Sequence, residues 1–168
     1  MNNLPIKIRK AAIHDLSAVV AIYNSTIASR MVTADTEEVV VEKRLDWFHQ
    51  HHDKRPLWIV ECDNEICAWI SFQDFYGRPA YSATAEVSIY LHESMRGKGL
   101  GGTLLQWTFE QSKDLQIENL VAFIFAHNRP SIRLFEKYGF EQWGLLPQVA
   151  ELDNIKRDLV ILGKKINS

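Results

Sequence analysis

A cluster of glycines directly after a β-rich run is the feature that most constrains this chain of 168 residues. Residues 88–91 alternate between polar and apolar side chains, as a half-buried strand does. Four glycines follow within residues 97–102, and apolar residues at helical spacing run from Leu100 to Phe109. Glycines let several backbone N–H groups turn toward one point, and a helix N-terminus adds partial positive charge. This order of elements therefore predicts a phosphate-binding loop, with Arg96 and Lys98 as nearby cations.

The spacing of these glycines excludes two common phosphate-binding loops. The segment 96–102 lacks the Gly-Lys-Ser/Thr ending of a P-loop, and it lacks the spacing and the N-terminal position of a dinucleotide-binding motif. It resembles instead the Arg/Gln-x-x-Gly-x-Gly/Ala signature of the GNAT superfamily of N-acetyltransferases, present as Arg96, Gly99 and Gly101. In that family the loop holds the pyrophosphate of acetyl-CoA. A glycine-rich turn without a ligand is the alternative.

The predicted elements follow the order of the GNAT fold over the whole chain. Hydrophobic patterning predicts strands at 6–9, 57–62, 66–72, 85–91, 120–126, 140–146 and 158–164. Helices are expected from 15 onward, from 35 or 36 behind a capping box, over 100–113 and over 130–137. We therefore expect residues 1–168 to form a single α/β domain, with a mixed, mostly antiparallel central sheet flanked by helices. The resemblance adds that two central strands splay apart.

A second segment, residues 128–140, resembles the Asn-x-x-Ser/Ala…Leu-Tyr-Glu-Lys-x-Gly-Phe ending of the same family. In those enzymes the Asn and the small residue lie along the pantetheine arm, and the strand before the glycine loop pairs with that arm through its backbone. The resemblance implies acetyl-CoA as co-substrate. It assigns to acetyl-CoA binding Ile89, Tyr90, Leu91, Arg96, Gly97, Lys98, Gly99, Leu100, Gly101, Gly102, Asn128 and Ser131.

Removal of a proton from the acceptor amine is the step that side chains can reveal, because an exposed amine keeps its proton up to about pH 10. Glu86 is the candidate base, since it is the single charge in the apolar run 83–89. A glutamate that faces water or pairs with an arginine is the alternative. The motif's tyrosine, a possible acid, is Phe135 here, so no general acid is assigned. Tyr138 is expected to pack in the core.

Residues 80–91 and the turn 128–131 resemble the phosphinothricin and methionine sulfoximine N-acetyltransferases within that family. The resemblance implies transfer of the acetyl group to the α-amine of a small amino-acid analogue next to Glu86, a homodimer, and a link to herbicide resistance. In the aromatic loop 75–81, Arg78 is the candidate for binding the acceptor's anionic group, with Tyr81 as a wall. A solvated loop cation is the alternative for Arg78.

Two other functions stay open on the sequence alone. The same fold could acetylate a protein N-terminus, a polyamine or an aminoglycoside, although polycationic acceptors favour an acidic cleft and the loop that carries Arg78 has one acid, Asp74. The chain could also be a non-catalytic CoA-binding sensor, because a fold does not determine an activity. Turnover with an amine would distinguish the enzyme from the sensor.

Composition limits the remaining partners. Nineteen basic and 21 acidic residues give a net charge of −2, so we expect neither nucleic acid nor a membrane surface as a partner. Without an apolar signal core or a bilayer-length apolar run, the expected location is cytoplasmic. No metal site is expected. The nearby histidines His49, His51 and His52 indicate a solvated helix end, and Cys62 and Cys67 indicate small buried thiols on a hairpin.

Overall fold

Seven strands of one sheet organise residues 5–166, the part of the chain that the computed structural model describes. In chain order they are β1 (Ile6–Lys10), β2 (Leu57–Cys62), β3 (Glu65–Asp74), β4 (Thr84–Leu91), β5 (Asn119–Phe125), β6 (Glu141–Leu152) and β7 (Ile155–Lys165). Their spatial order is β1-β2-β3-β4-β5-β7-β6. Only β4 and β5 run parallel, and the other neighbouring pairs are antiparallel. The predicted mixed, mostly antiparallel sheet is therefore confirmed.

Helices cover both faces of this sheet. They are α1 (Leu16–Ser25), α2 (Leu45–His49), α3 (Leu100–Asp114) and α4 (Arg129–Lys137). Helices α3 and α4 pack on one face through Leu104, Leu105 and Phe135, whereas α1 and α2 pack on the other face around Trp69. Within residues 5–166, no helix combines the length and the apolar character that crossing a membrane requires. Each face of β4 therefore meets a different pair of helices.

Strands β4 and β5 are in register only near their beginnings. The paired positions are Thr84–Glu86 of β4 and Asn119–Val121 of β5. Over the described residues, β4 then continues to Leu91 and β5 to Phe125 without pairing with each other. The splayed central strands implied by the family resemblance are therefore present, and the gap between them opens toward the glycine segment.

The second predicted helix is much shorter than expected. Residues 35–40 are not helical, and a single 3-10 turn, Val41–Arg44, precedes the five-residue helix α2. The predicted cap Asp35 accepts hydrogen bonds from the Tyr23 hydroxyl and, at 2.9 Å, from Arg44 Nη2. Asp35 therefore binds Tyr23 and Arg44, 12 and 9 residues away in the sequence, instead of forming the capping box that the spacing favoured.

The last two strands are longer than the sequence predicted. Strand β6 passes Pro147, and its register against β7 shifts between Leu146 and Ala150. Gln148, inside that shift, has a φ of +51°. Proline donates no backbone hydrogen bond, and the bulge at this position lets the strand continue beyond it.

Two local expectations were wrong. His51 is not a solvated helix end, because its ring packs edge-on against Trp47 and its Nε2 lies 2.6 Å from the buried Ser71 hydroxyl. Burial lowers the pKa of His51. Cys62 and Cys67 are not separate thiols, because their sulfur atoms are joined across the β2–β3 hairpin. The sequence alone could not show that the His51 ring packs against Trp47 or that the sulfur atoms of Cys62 and Cys67 face each other.

Candidate active site

A groove of about 450 Å³ opens at the gap between β4 and β5. We call it the glycine groove, because the glycine segment forms much of its wall. All residues predicted to bind acetyl-CoA line it except Lys98. The predicted residues in the lining are Ile89, Tyr90, Leu91, Arg96, Gly97, Gly99, Leu100, Gly101, Gly102, Asn128 and Ser131. The opposite wall comes from residues that the sequence did not assign to acetyl-CoA binding, at the end of α1 and in the segment after it: Thr26, Ser29, Met31 and Val32.

The glycines of this groove are required for two different reasons. Gly97 and Gly99 have φ values of +74° and +81°, a conformation that side chains with a Cβ rarely adopt. Gly99 is also the residue that begins α3 as its N-cap. At Gly102, a Cβ would lie 2.5 Å from the Tyr138 hydroxyl. The first two therefore shape the loop, whereas Gly102 allows α4 to approach α3.

Helix α4 forms the far wall of the glycine groove. The buried Asn128 caps this helix, since its Oδ1 accepts a hydrogen bond from the Ser131 N–H at 3.4 Å. Phe135 lines the groove but has no proton to donate. Tyr138 packs over Gly102 and is absent from the lining of the groove. Helix α4 therefore presents no tyrosine acid to this groove.

Glu86 lies where the two strands separate. It is opposite Gln73 of β3 and Val121 of β5, at the last paired position of β4 and β5. Among the described residues its partly buried carboxylate has no hydrogen bond or ion pair. Burial raises the pKa of Glu86, because desolvation disfavours the charged form. β4 is a central strand, and no arginine pairs with this carboxylate in residues 5–166. The carboxylate is therefore a stronger base than that of an ordinary glutamate.

A second cavity, of about 150 Å³, lies on the α1–α2 face of β4. We call it the aromatic cavity, because four of its nine lining residues are aromatic: Tyr23, Trp47, Trp69 and Tyr90. The rings of Trp69 and Tyr90 stack with centroids 4.4 Å apart. The remaining lining residues are Val19, Val20, Arg44, Gln73 and Ser88. Tyr90 is the residue that the aromatic cavity and the glycine groove share.

Arg78 and Tyr81, the predicted acceptor-binding residues, lie together in a third cavity, which we call the loop cavity. It has a volume of about 450 Å³ and also contains Asp74 and the buried Arg55, which are 2.9 Å apart from Nε to Oδ1. Within one chain, the loop cavity shares no lining residue with the aromatic cavity. The structure thus brings Arg78 and Tyr81 together without placing them beside Glu86.

The splayed strands and the glycine loop at the start of α3 define an acetyltransferase fold, and comparison with known families agrees. The model of the Acetyltransferase (GNAT) family matches residues 19–140. The chain therefore belongs to this family and is an acetyltransferase. The matched region runs from α1 to the end of α4, so it contains both the glycine groove and the aromatic cavity.

The relatives narrow the kind of acetyltransferase. The chain is 57% identical to "Putative phosphinothricin acetyltransferase YwnH" of Bacillus subtilis (strain 168), over 95% of this chain and 99% of that protein. It is 32% identical to the L-methionine sulfoximine/L-methionine sulfone acetyltransferase of Pseudomonas paraeruginosa, over 86% of this chain and 85% of that protein.

Solved structures show the same architecture. A crystal structure of "a putative phosphinothricin N-acetyltransferase" superimposes with a TM-score of 0.95 at 56% identity, covering 98% of this chain and 100% of that one. The yncA protein of Salmonella typhimurium, solved with its cofactor acetyl-CoA, superimposes with a TM-score of 0.86 at 27% identity, covering 97% and 95%. The family's fold is therefore shared over nearly the whole chain.

Proposed function

We propose that this protein transfers the acetyl group of acetyl-CoA to the α-amine of a small amino-acid analogue of the phosphinothricin or methionine sulfoximine type. The observation that carries the proposal is the position of Glu86. Its carboxylate has no hydrogen bond or ion pair within residues 5–166. It lies where β4 leaves β5, on the strand whose later residues line the glycine groove and the aromatic cavity. The names of the relatives favour this class of acceptor.

The glycine groove fits acetyl-CoA in its chemistry. The N-terminus of α3 and the loop before it can direct backbone N–H groups at a pyrophosphate, with Arg96 at the wall. The edge of β4 beyond Glu86, which β5 leaves unpaired, can hydrogen-bond an amide-bearing arm as an added strand would. Acetyl-CoA supplies the activated acetyl group and a thiolate leaving group when bound.

Glu86 is proposed as the base that removes the proton from the acceptor ammonium, directly or through one water molecule. The amine must be neutral before it can attack a carbonyl carbon, and a positioned base is worth about 10²–10⁴ in rate. The raised pKa of Glu86 brings its basicity closer to neutral pH. Since α4 offers no tyrosine acid, we propose that the thiolate leaves without a side-chain acid from that helix.

The aromatic cavity favours a small acceptor. Its volume of about 150 Å³ lies well below the ~300 Å³ at which pockets for drug-sized ligands begin. A single amino acid suits this space, whereas an aminoglycoside would extend far outside it. The role predicted for Arg78 and Tyr81, contact with the acceptor's second anionic group, stays a prediction, because within one chain they line the separate loop cavity.

A homodimer is proposed on the exposed surface of β6, which is an edge strand of the sheet. Four large apolar side chains of β6 are exposed there: Trp143, Leu145, Leu146 and Val149. Large apolar side chains exposed close together along an edge strand favour an interface with another protein chain. Light scattering on the purified protein tests this proposal, and a monomer at micromolar concentration would contradict it.

The activity is tested by the release of CoA thiol from acetyl-CoA with a panel of amines. We expect turnover with phosphinothricin, methionine sulfoximine and methionine sulfone. Spermidine, kanamycin and a peptide N-terminus serve as competitors from other classes. Turnover with those competitors alone would contradict the proposed acceptor, and binding of acetyl-CoA without turnover of any amine would indicate a sensor.

A further inference from the structure

Arg44 is the single charged residue among those that line the aromatic cavity. The other lining side chains are aromatic, aliphatic, or neutral polar groups such as Gln73 and Ser88. Arg44 is the last residue of the 3-10 turn Val41–Arg44 and lies directly before α2. Its side chain is 26% exposed. Any anion that enters this cavity therefore meets one cation, which lies against the Tyr23 ring.

The guanidinium of Arg44 is held in position by its neighbours. Its Nη2 donates a hydrogen bond to Asp35 Oδ2 at 2.9 Å, and its plane lies over the Tyr23 ring, 4.6 Å from the centroid. Asp35 is itself fixed, since it accepts a hydrogen bond from the Tyr23 hydroxyl, which also contacts the Thr33 hydroxyl. A guanidinium oriented in this way loses little conformational freedom when it binds a ligand.

The contacts of Arg44 leave part of its hydrogen-bonding capacity available. A guanidinium carries five N–H donors, and within residues 5–166 one side-chain hydrogen bond of Arg44 is formed, the bond to Asp35. Asp35 also reduces the net charge at this position, so recognition there depends on directed N–H groups more than on charge alone. A planar, bidentate acceptor such as a carboxylate matches those donors.

We propose that Arg44 is a specificity-determining residue that binds the α-carboxylate of the acceptor amino acid. The proposal rests on the proposed function, since it assigns the acceptor of that same site to the aromatic cavity. A carboxylate on Arg44 places the neighbouring α-amine along β4, on the face that carries Ser88 and Tyr90 and, two residues earlier, Glu86. Tyr90 is half-buried. Burial is the main cause of the rise in its pKa, and the charges of Arg44 and Glu86 also act on that pKa.

The test compares amino acids with their own carboxamides, which keep the α-amine and the side chain but lose the carboxylate charge. The pairs are methionine sulfone with its carboxamide, and methionine with its carboxamide. The measured quantity is the ratio of kcat/KM for acid to amide. We expect the unchanged protein to prefer the acid by at least about 30-fold, the low end of what losing one partner of a desolvated charge pair produces.

Two substitutions of Arg44 should reduce that preference. Arg44→Gln should bring the ratio to within about threefold of unity, and Arg44→Lys should lower it by at least about fivefold, because an ammonium cannot bind a carboxylate bidentately. Arg9→Gln is the matched control. Arg9 lies on β1, away from the cavity, is 30% exposed, and pairs with Asp15 and Glu61. Its ratio should be unchanged, and the affinity for acetyl-CoA should be the same in all variants.

The outcomes separate this proposal from the proposed function. If the unchanged protein does not prefer the acid, or if Arg44→Gln and Arg44→Lys keep the preference, the assignment of Arg44 is wrong. If methionine is acetylated but methionine sulfone and phosphinothricin are not, the proposed acceptor class fails, while the ratio for methionine still decides the role of Arg44. If no α-amino acid is acetylated, both proposals are wrong.

Discussion

Replacing Glu86 with glutamine tests the proposed base with little change in shape. Glutamine has nearly the same volume as glutamate but is not basic at any accessible pH. Because the carboxylate has no hydrogen bond or ion pair in residues 5–166, the substitution breaks no contact of that kind. A loss of turnover in Glu86→Gln would therefore report on proton transfer rather than on a damaged fold.

The expected loss follows from the position of this side chain. A positioned general base contributes about 10²–10⁴ in rate, or about 2.7–5.4 kcal/mol in activation free energy. The stability of the Glu86→Gln variant, in contrast to its activity, should not fall. The pKa of Glu86 is raised in the folded protein, so the folded state binds this proton more readily than the unfolded state does. Ionisation at neutral pH thus lowers the free energy of unfolding, and Glu86→Gln should keep or increase the Tm there.

The assay is kcat/KM for methionine sulfone from pH 5 to 10, with the Tm measured alongside. For the unchanged protein, the acidic limb should lie above the ~4.3 of an ordinary glutamate. Glu86→Gln should recover part of the rate toward pH 10, where the amine loses its proton unaided. Glu118→Gln, at an exposed position beside β5, is the control. Near-normal turnover of Glu86→Gln at neutral pH would refute the role of Glu86 as base.

Three other outcomes are expected. Gly99→Val should weaken CoA binding more than tenfold in a titration, because a β-branched residue at its φ of +81° distorts the loop. Gly77→Val, with a similar φ of +67° in the loop cavity, should not weaken it. Equal CoA affinities of the two variants would contradict the phosphate-binding loop. Arg78→Ala should raise the KM for phosphinothricin but leave acetyl-CoA binding unchanged, and an unmoved KM would make Arg78 a loop cation. Since burial lowers the pKa of His51, the unfolded state takes up its proton first, and the free energy of unfolding should fall as pH drops below about 6.5. In chemical denaturation His51→Gln should flatten that dependence, whereas the exposed His49→Gln should not.

The glycine groove could be predicted in detail because its signal is local. Gly97 and Gly99 occur within three residues of Arg96, directly after a strand, and that order specifies the loop without knowledge of the rest of the chain. Asn128 and Ser131 were assigned from the resemblance of residues 128–140 to the motif of the GNAT family, which is also a signal within one short segment. The position of each of these residues depends on the short segment of sequence around it.

The aromatic cavity could not be predicted because its walls come from separate parts of the chain. Arg44 stands in a mixed polar and apolar stretch where a lysine or a glutamate would look equally ordinary. It becomes informative only when Asp35 and Tyr23 fix it, and the sequence spacing had suggested Asp35 as a helix cap. Trp69 carried the same apolar signal as any buried strand residue.

The position of Tyr90 has a consequence for the order of events at this site. Tyr90 forms part of the wall of both the glycine groove and the aromatic cavity. If a ligand in one compartment shifts or immobilises this residue, the other compartment changes shape before its own ligand arrives. We therefore expect the two ligands to alter each other's affinity, and thermodynamic linkage requires that each does so by the same factor. The shared residue thus makes the affinity for the acceptor depend on whether the glycine groove is occupied, and the affinity for the acyl donor depend on whether the aromatic cavity is occupied.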